Sequence, residues 1–200
     1  MIRNVVFDVG GVLVRLRYEA LIRYLGEAGI DMSDLHGWLA RVDLVGHERG
    51  EVSGAEVLGR IAAMATRPLD HAELEHRWLD VFERADGMFE LATGLMQHHG
   101  VFLLSNVGDL HWGRLEARYG LERLVHGAMA SFRVGAVKPD AAIYREAERR
   151  FGLEPATTVF IDDLEANLRG AEACGWQAIH HRDADVTRAA LAGLGVRLPV

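Results

Sequence analysis

Short contiguous apolar runs alternate along the chain with longer stretches whose apolar positions recur at helical spacing. Val5-Val6-Phe7 runs into Asp8-Val9-Gly10-Gly11, and Val101-Phe102-Leu103-Leu104 ends at Ser105-Asn106. Thr158-Val159-Phe160-Ile161 ends at Asp162-Asp163, and Trp176-Gln177-Ala178-Ile179 ends at His180-His181. None of these runs has a helical period, and each stops at polar or turn-forming residues. That is the pattern of a parallel strand buried on both faces. Val125 to Ala130 carries a weaker form of the same signal.

Amphipathic stretches separate the strands. Asp109–Tyr119 closes at Gly120, Asp140–Phe151 at Gly152 and Glu165–Cys174 at Gly175. Each glycine stands where a helix C-terminus favours a left-handed residue. Strands alternating with such helices predict an α/β fold, a Rossmann-like doubly wound parallel sheet. Between Arg15 and Asp86 the rhythm changes. Tyr18–Ala28, Ser53–Ala65 and His71–Arg84 all have helical periodicity, and no strand is read there. The expected organisation is an α/β core of residues 1–14 and 87–200, with a helical subdomain of residues 15–86 inserted after the first strand.

Composition adds exclusions. The 200 residues carry 22 Lys+Arg against 29 Asp+Glu, a net charge of -7, which disfavours a general nucleic-acid or anionic-membrane binder. One cysteine, Cys174, permits neither an internal disulfide nor a cysteine zinc site, and reads as a small buried helix residue. There is no signal-peptide pattern and no apolar run near the ~18 residues that span a bilayer. A cytoplasmic location is the expectation. His98-His99 and His180-His181 read as surface residues, and the four tryptophans as packing.

The candidate chemistry lies at the strand ends, where open parallel sheets bind their ligands. They bring together Asp8, Ser105 with Asn106, Asp162 with Asp163, and Lys138, which precedes the helix start Pro139-Asp140. Lys138 is the only lysine in the chain, and the other 21 basic residues are arginine. Taken singly, each of these is as readily a turn, a cap or a solvated charge. Together they are what transfer of a phosphoryl group to a carboxylate requires: an attacking carboxylate, further carboxylates for a divalent metal, and a hydroxyl and a cation for the phosphate oxygens.

In this order the motifs resemble those of the haloacid dehalogenase-like (HAD) hydrolases. Phe7-Asp8-Val9-Gly10-Gly11-Val12-Leu13, Leu104-Ser105-Asn106, Lys138-Pro139-Asp140 and Ile161-Asp162-Asp163 with Asn167 match four family motifs. The resemblance implies that Asp8 is the nucleophile, forming an aspartyl-phosphate. It implies Mg²⁺ held by Asp8, the Gly10 carbonyl and Asp162, with Asp163 acting on the metal or its water shell. Phosphate would be held by Ser105, Asn106, Lys138 and Gly11, with Asn167 supporting. Residues 15–86 would be the family's helical cap, and Gly46 to Ser53 resembles a stretch in caps of the sugar-phosphate phosphatase and epoxide-hydrolase phosphatase-domain branch. His47 and Arg49 are the cap residues expected to meet substrate. The implied reaction is Mg²⁺-dependent hydrolysis of a small phosphorylated metabolite, with monomer or homodimer left open.

Most phosphatases of the family carry a second aspartate where this chain has Gly10, so the group that protonates the leaving oxygen is missing from its usual place. Leaving groups that are already acidic, a sugar 1-phosphate among them, lose least by this. The rival expectation is that His47 supplies the proton. Two other readings compete on the same scaffold: a 2-haloacid dehalogenase, which needs no proton for halide but does not usually keep the acidic pair, and a weakly active or non-catalytic binding protein.

Overall fold

The computed structural model describes residues 1–199. Along the chain lie β1 (Asn4–Phe7), β2 (Val14–Leu16), α1 (Glu19–Glu27), α2 (Leu35–Val42), α3 (Leu44–Glu48), α4 (Gly54–Ala63), α5 (His71–Leu79) and β3 (Phe82–Arg84). There follow α6 (Asp86–Leu95), β4 (Gly100–Ser105), α7 (Asp109–Tyr119), α8 (Leu121–Leu124), β5 (Gly127–Ala130), α9 (Ala141–Phe151), β6 (Thr158–Asp162), α10 (Glu165–Ala173), β7 (Gln177–His180) and α11 (Ala184–Gly193).

Five strands form one parallel sheet in the order β5-β4-β1-β6-β7. The chain builds outward from β1 on one side, then crosses to the other side at β6. The crevice beyond the ends of β1 and β6 is therefore the switch point at which such sheets bind ligands. Phe7 pairs with Leu103 on one side and Ile161 on the other, so Asp8, Ser105 and Asp162 emerge at nearly one level.

The buried strands sort by parity, as pleating requires. Val5, Phe7, Val101, Leu103, Val159 and Ile161 face a large core shared with α6, α7 and the helices of residues 15–86. Val6, Phe102, Leu104 and Phe160 face the opposite layer, where Ile143, Tyr144 and Ala147 of α9 and Leu168 and Ala171 of α10 pack. Gly120 and Gly152 cap α7 and α9 in left-handed conformation, as their positions predict. Cys174 is buried at the C-terminus of α10.

The structure corrects the sequence reading between Arg15 and Asp86. Two short antiparallel strands, β2 and β3, stand where none was expected, paired Val14 to Arg84 and Leu16 to Phe82. The helix expected over His71–Arg84 stops at Leu79, and its last residues form β3. The His180-His181 pair also departs from a surface role, whereas His98 is exposed. His181 is buried with Nδ1 2.8 Å from Thr187 Oγ1, and His180 Nε2 lies 3.0 Å from the carbonyl of Asp163. Among the described residues no helix is long and apolar enough to cross a membrane.

Candidate active site

Asp8 leaves the end of β1 into a tight loop in which the Leu13 and Val14 amides both bond the Val9 carbonyl. Gly11 has φ +79, and a Cβ there would lie 2.4 Å from an Asp163 oxygen, so the loop requires glycine at this position. Gly10 is different. A Cβ there would meet only Leu16 Cδ1, at 3.9 Å.

Lys138 is the electrostatic centre. Its Nζ lies 2.9 Å from Asp8 Oδ1 and 2.7 Å from Asp162 Oδ2, and all three side chains are buried. Burial works against the ammonium, but the Asp8 and Asp162 carboxylates beside it hold the Lys138 pKa above its ordinary value. Burial pushes the Asp8 carboxyl up, against the pull of Lys138. The cause is plain: one ammonium serves two buried carboxylates, leaving one negative charge without a partner. Asp163 adds a third carboxyl, raised by burial and then by Asp162. Ligand atoms of Asp8, Asp162 and Asp163 lie within 4.8 Å of one another. A cluster of hard oxygen donors with excess negative charge fits a divalent cation such as Mg²⁺.

Other predicted residues join this cluster. Asn167 turns back from α10 as expected, its Nδ2 3.1 and 3.0 Å from the two Asp162 oxygens. Asn106 acts through its side chain: Nδ2 donates to the Lys138 carbonyl at 2.9 Å, and the Lys138 amide donates to Oδ1 at 2.8 Å. That reciprocal pair fixes the loop carrying Lys138 to the end of β4. Ser105 is buried beside them. A cavity of about 400 Å³ opens from Asp8, Ser105, Asn106 and Lys138 into the helices of residues 15–86.

Of the two residues expected to meet substrate from those helices, His47 lines the cavity and Arg49 does not. Arg49 is paired with Asp140 at 2.9 Å and does not line the cavity. His47 lines it, but its Nδ1 faces the Val52 carbonyl at 2.9 Å, so Nδ1 carries the proton. Nε2 is buried, packed over Gly108, and has no partner among the described residues.

Glu48, one residue on, was not read as part of the chemistry. It lines the cavity, and burial pushes its carboxyl up to about 7, against the attraction of Lys138. Ser131, also missed, is fully buried; its Oγ accepts from the Val107 amide at 2.9 Å and donates to the Glu48 carbonyl. No local pattern marks either residue, because both depend on contacts between segments far apart in the chain.

The sequence model of the haloacid dehalogenase-like hydrolase family matches residues 2–175. A D-ribitol-5-phosphate phosphatase from Bacteroides thetaiotaomicron is 25% identical over 189 residues, covering 88% of this chain and 90% of that one. A predicted HAD-like hydrolase from Porphyromonas gingivalis superimposes with TM-score 0.81 at 27% identity, covering 98% and 99% of the two chains. A HAD-family enzyme from B. thetaiotaomicron, solved with magnesium and inorganic phosphate, superimposes with TM-score 0.81 at 24% identity over 92% and 96%.

Proposed function

Because the chain belongs to the haloacid dehalogenase-like hydrolases, we propose that it is a Mg²⁺-dependent phosphatase acting on a small phosphate monoester through an aspartyl-phosphate on Asp8. The observation that carries this reading is the buried ammonium of Lys138 shared between Asp8 and Asp162, with Asp163 in reach. Relatives that hydrolyse phosphate esters, the D-ribitol-5-phosphate phosphatase among them, support the same class.

An Asp8 carboxylate oxygen attacks phosphorus as the ester P–O bond breaks. Lys138, Ser105 and the backbone around Asn106 and Gly11 hold the phosphoryl oxygens while charge redistributes. The Asp8 and Asp162 carboxylates and the Gly10 carbonyl, with Asp163 alongside, would hold Mg²⁺, which would supply the charge that lets a phosphate dianion approach three carboxylates. Water then attacks the aspartyl-phosphate and regenerates Asp8. In the first step Glu48 gives its proton to the departing oxygen, the task for which position 10 has no carboxyl, and its carboxylate then takes the proton released by the attacking water. A carboxyl with a pKa near neutrality is matched to that task. With Glu48 in that role, the preference for a sugar 1-phosphate that Gly10 alone suggested is no longer needed to account for departure. Residues 15–86 act as the cap that carries Glu48 to the site.

Phosphate release from p-nitrophenyl phosphate with Mg²⁺, run beside halide release from chloroacetate without metal, tests the reading. Phosphate release that stops in chelator supports it. Halide release unaffected by chelator, with no phosphate release, refutes it in favour of dehalogenation.

A further inference from the structure

The cavity above Asp8 is largely apolar away from its phosphate end, and Tyr18 and His111 are its few polar groups there. Away from that end its walls are Leu21, Ile22, Met32, Trp38, Leu39 and Trp78. Of the large apolar side chains that are exposed among the described residues, Leu16, Tyr18, Ile22, Leu35 and Leu164 all belong to this one cavity, at 38–56% exposure. Exposed apolar residues scattered singly need no explanation, but a group of them around one opening marks a binding surface.

The polar inventory points the same way. The Trp38 and Trp78 indole N–H groups are buried, with no partner among the described residues. His111 spends Nε2 on the Trp78 carbonyl at 2.8 Å, and burial pushes its pKa down to about 4, so the ring is neutral. Among the described lining residues Lys138 is the only permanent cation, and it is committed to Asp8 and Asp162. A second phosphate or a carboxylate on the substrate would find no counter-charge. The hydroxyls of a sugar would find little beyond Tyr18 and Glu48, and each left unpaired costs roughly tenfold in affinity.

We propose that the substrate is a phosphate monoester of a predominantly apolar alcohol or phenol, with its hydrocarbon part seated between α1, α2 and α5. This rests on the phosphatase reading above and deepens it. The phosphate is held at the strand ends, and the apolar group gains affinity by leaving water in a cavity of ordinary ligand size.

The test is kcat/KM on n-alkyl phosphates from ethyl to octyl, beside glucose 6-phosphate and p-nitrophenyl phosphate. One buried methylene is worth roughly fourfold, so kcat/KM should climb steeply with chain length until the cavity is full. Octyl phosphate should exceed glucose 6-phosphate by at least about 100-fold. Ile22→Asn at the rim should lower the value for octyl phosphate about tenfold more than for ethyl phosphate; an equal loss on both counts against the proposal. A flat series, or a preference for the sugar phosphate, with p-nitrophenyl phosphate still hydrolysed, overturns the apolar substrate and leaves the phosphatase reading standing. No release from any ester, p-nitrophenyl phosphate included, overturns both.

Discussion

Ser131 Oγ donates to the backbone carbonyl of Glu48 at 2.5 Å, tying the end of α3 to the loop that follows β5. The neighbouring Arg49–Asp140 pair and the Gly54 amide on Asp109 Oδ1, at 3.0 Å, hold the same segment to the core. Glu48 thus stands over the strand ends on a backbone fixed at several points, which is what a proton donor needs if its reach is to be constant.

Replacing Glu48 by Gln should lower turnover of alkyl phosphates by about 10²–10³-fold while affecting p-nitrophenyl phosphate little, since nitrophenolate departs without a proton. The pH profile gives the sign. An acid must be protonated to act, so wild-type turnover of alkyl phosphates should fall as pH rises through about 7. The Gln variant should lose that limb. A variant profile that keeps the limb would assign it to another group.

The same shift predicts a stability effect. Burial raises the Glu48 pKa from 4.5 to about 7 in the folded chain. Below 4.5 the carboxyl is protonated in both states and costs nothing. As pH rises to about 7 the unfolded chain releases the proton first, and stability is lost. Glu48→Gln should therefore raise Tm at pH 8 by about 2–6 °C, corresponding to ~1–2 kcal/mol for a partly solvated carboxyl, and change it little at pH 4. Thermal melts of both proteins at the two pH values check this.

Asp8→Asn should reduce phosphatase activity by about 10³-fold or more, because an amide cannot form the phosphoryl ester. Lys138 would keep Asp162 as its partner at 2.7 Å, and one buried negative charge would be gone. Tm should accordingly hold or rise. Near-normal turnover by the Asn variant would remove Asp8 from the role of nucleophile.

The fold and the clustering of the candidate site residues were legible where local chemistry decides. β1, β4 and β6 are unbroken apolar runs, and the polar residue ending each run is the one that reaches the site. Asn167 was legible because helical spacing brings it back to the acidic pair. The β2–β3 pair was not. Val14-Arg15-Leu16 is too short to show a period, and Phe82-Glu83-Arg84 continues the helical pattern of α5. What selects the strand is pairing across the chain, with Glu83 held by Arg15 at 2.9 Å and Arg17 at 2.8 Å. Glu48 and the apolar cavity were hidden for a related reason. A glutamate at a helix end reads as a solvated charge, and only the packing of α1, α2 and α5 around the strand ends removes its water. Helical periodicity marked the apolar positions of residues 15–86 without distinguishing those that pack from those left lining an opening.

Asn167 offers a test of the metal site that spares its ligands. Its amide bonds both Asp162 oxygens, so it orients that carboxylate. Asn167→Ala should raise the Mg²⁺ concentration for half-maximal activity by about 10–100-fold, with kcat at saturating Mg²⁺ recovering most of its value. Chelation should abolish activity in both proteins and Mg²⁺ restore it. Unchanged Mg²⁺ dependence in the variant would mean that Asp162 does not serve the metal.

Gly10 allows the division of labour between loop and cap to be tested by gain of function. The loop at Gly11 admits no side chain, because φ is +79 and Asp163 fills the space. At Gly10 the nearest obstacle to a Cβ is Leu16 Cδ1 at 3.9 Å, and the backbone there is not left-handed. An aspartate is therefore tolerated sterically, two residues beyond the nucleophile. Its carboxyl would join a site already carrying Asp8, Asp162 and Asp163, so part of the gain would be offset by like-charge repulsion. In the wild-type background Gly10→Asp should change alkyl phosphate turnover by no more than a few-fold, because Glu48 already supplies the proton. In the Glu48→Gln background it should restore about 10-fold or more of the lost rate on alkyl phosphates and little on aryl phosphates. Rescue confined to alkyl esters would identify proton donation as the function lost with Glu48. Equal rescue on both ester types, or none with Mg²⁺ affinity intact, would show that Glu48 acts on something other than the leaving oxygen.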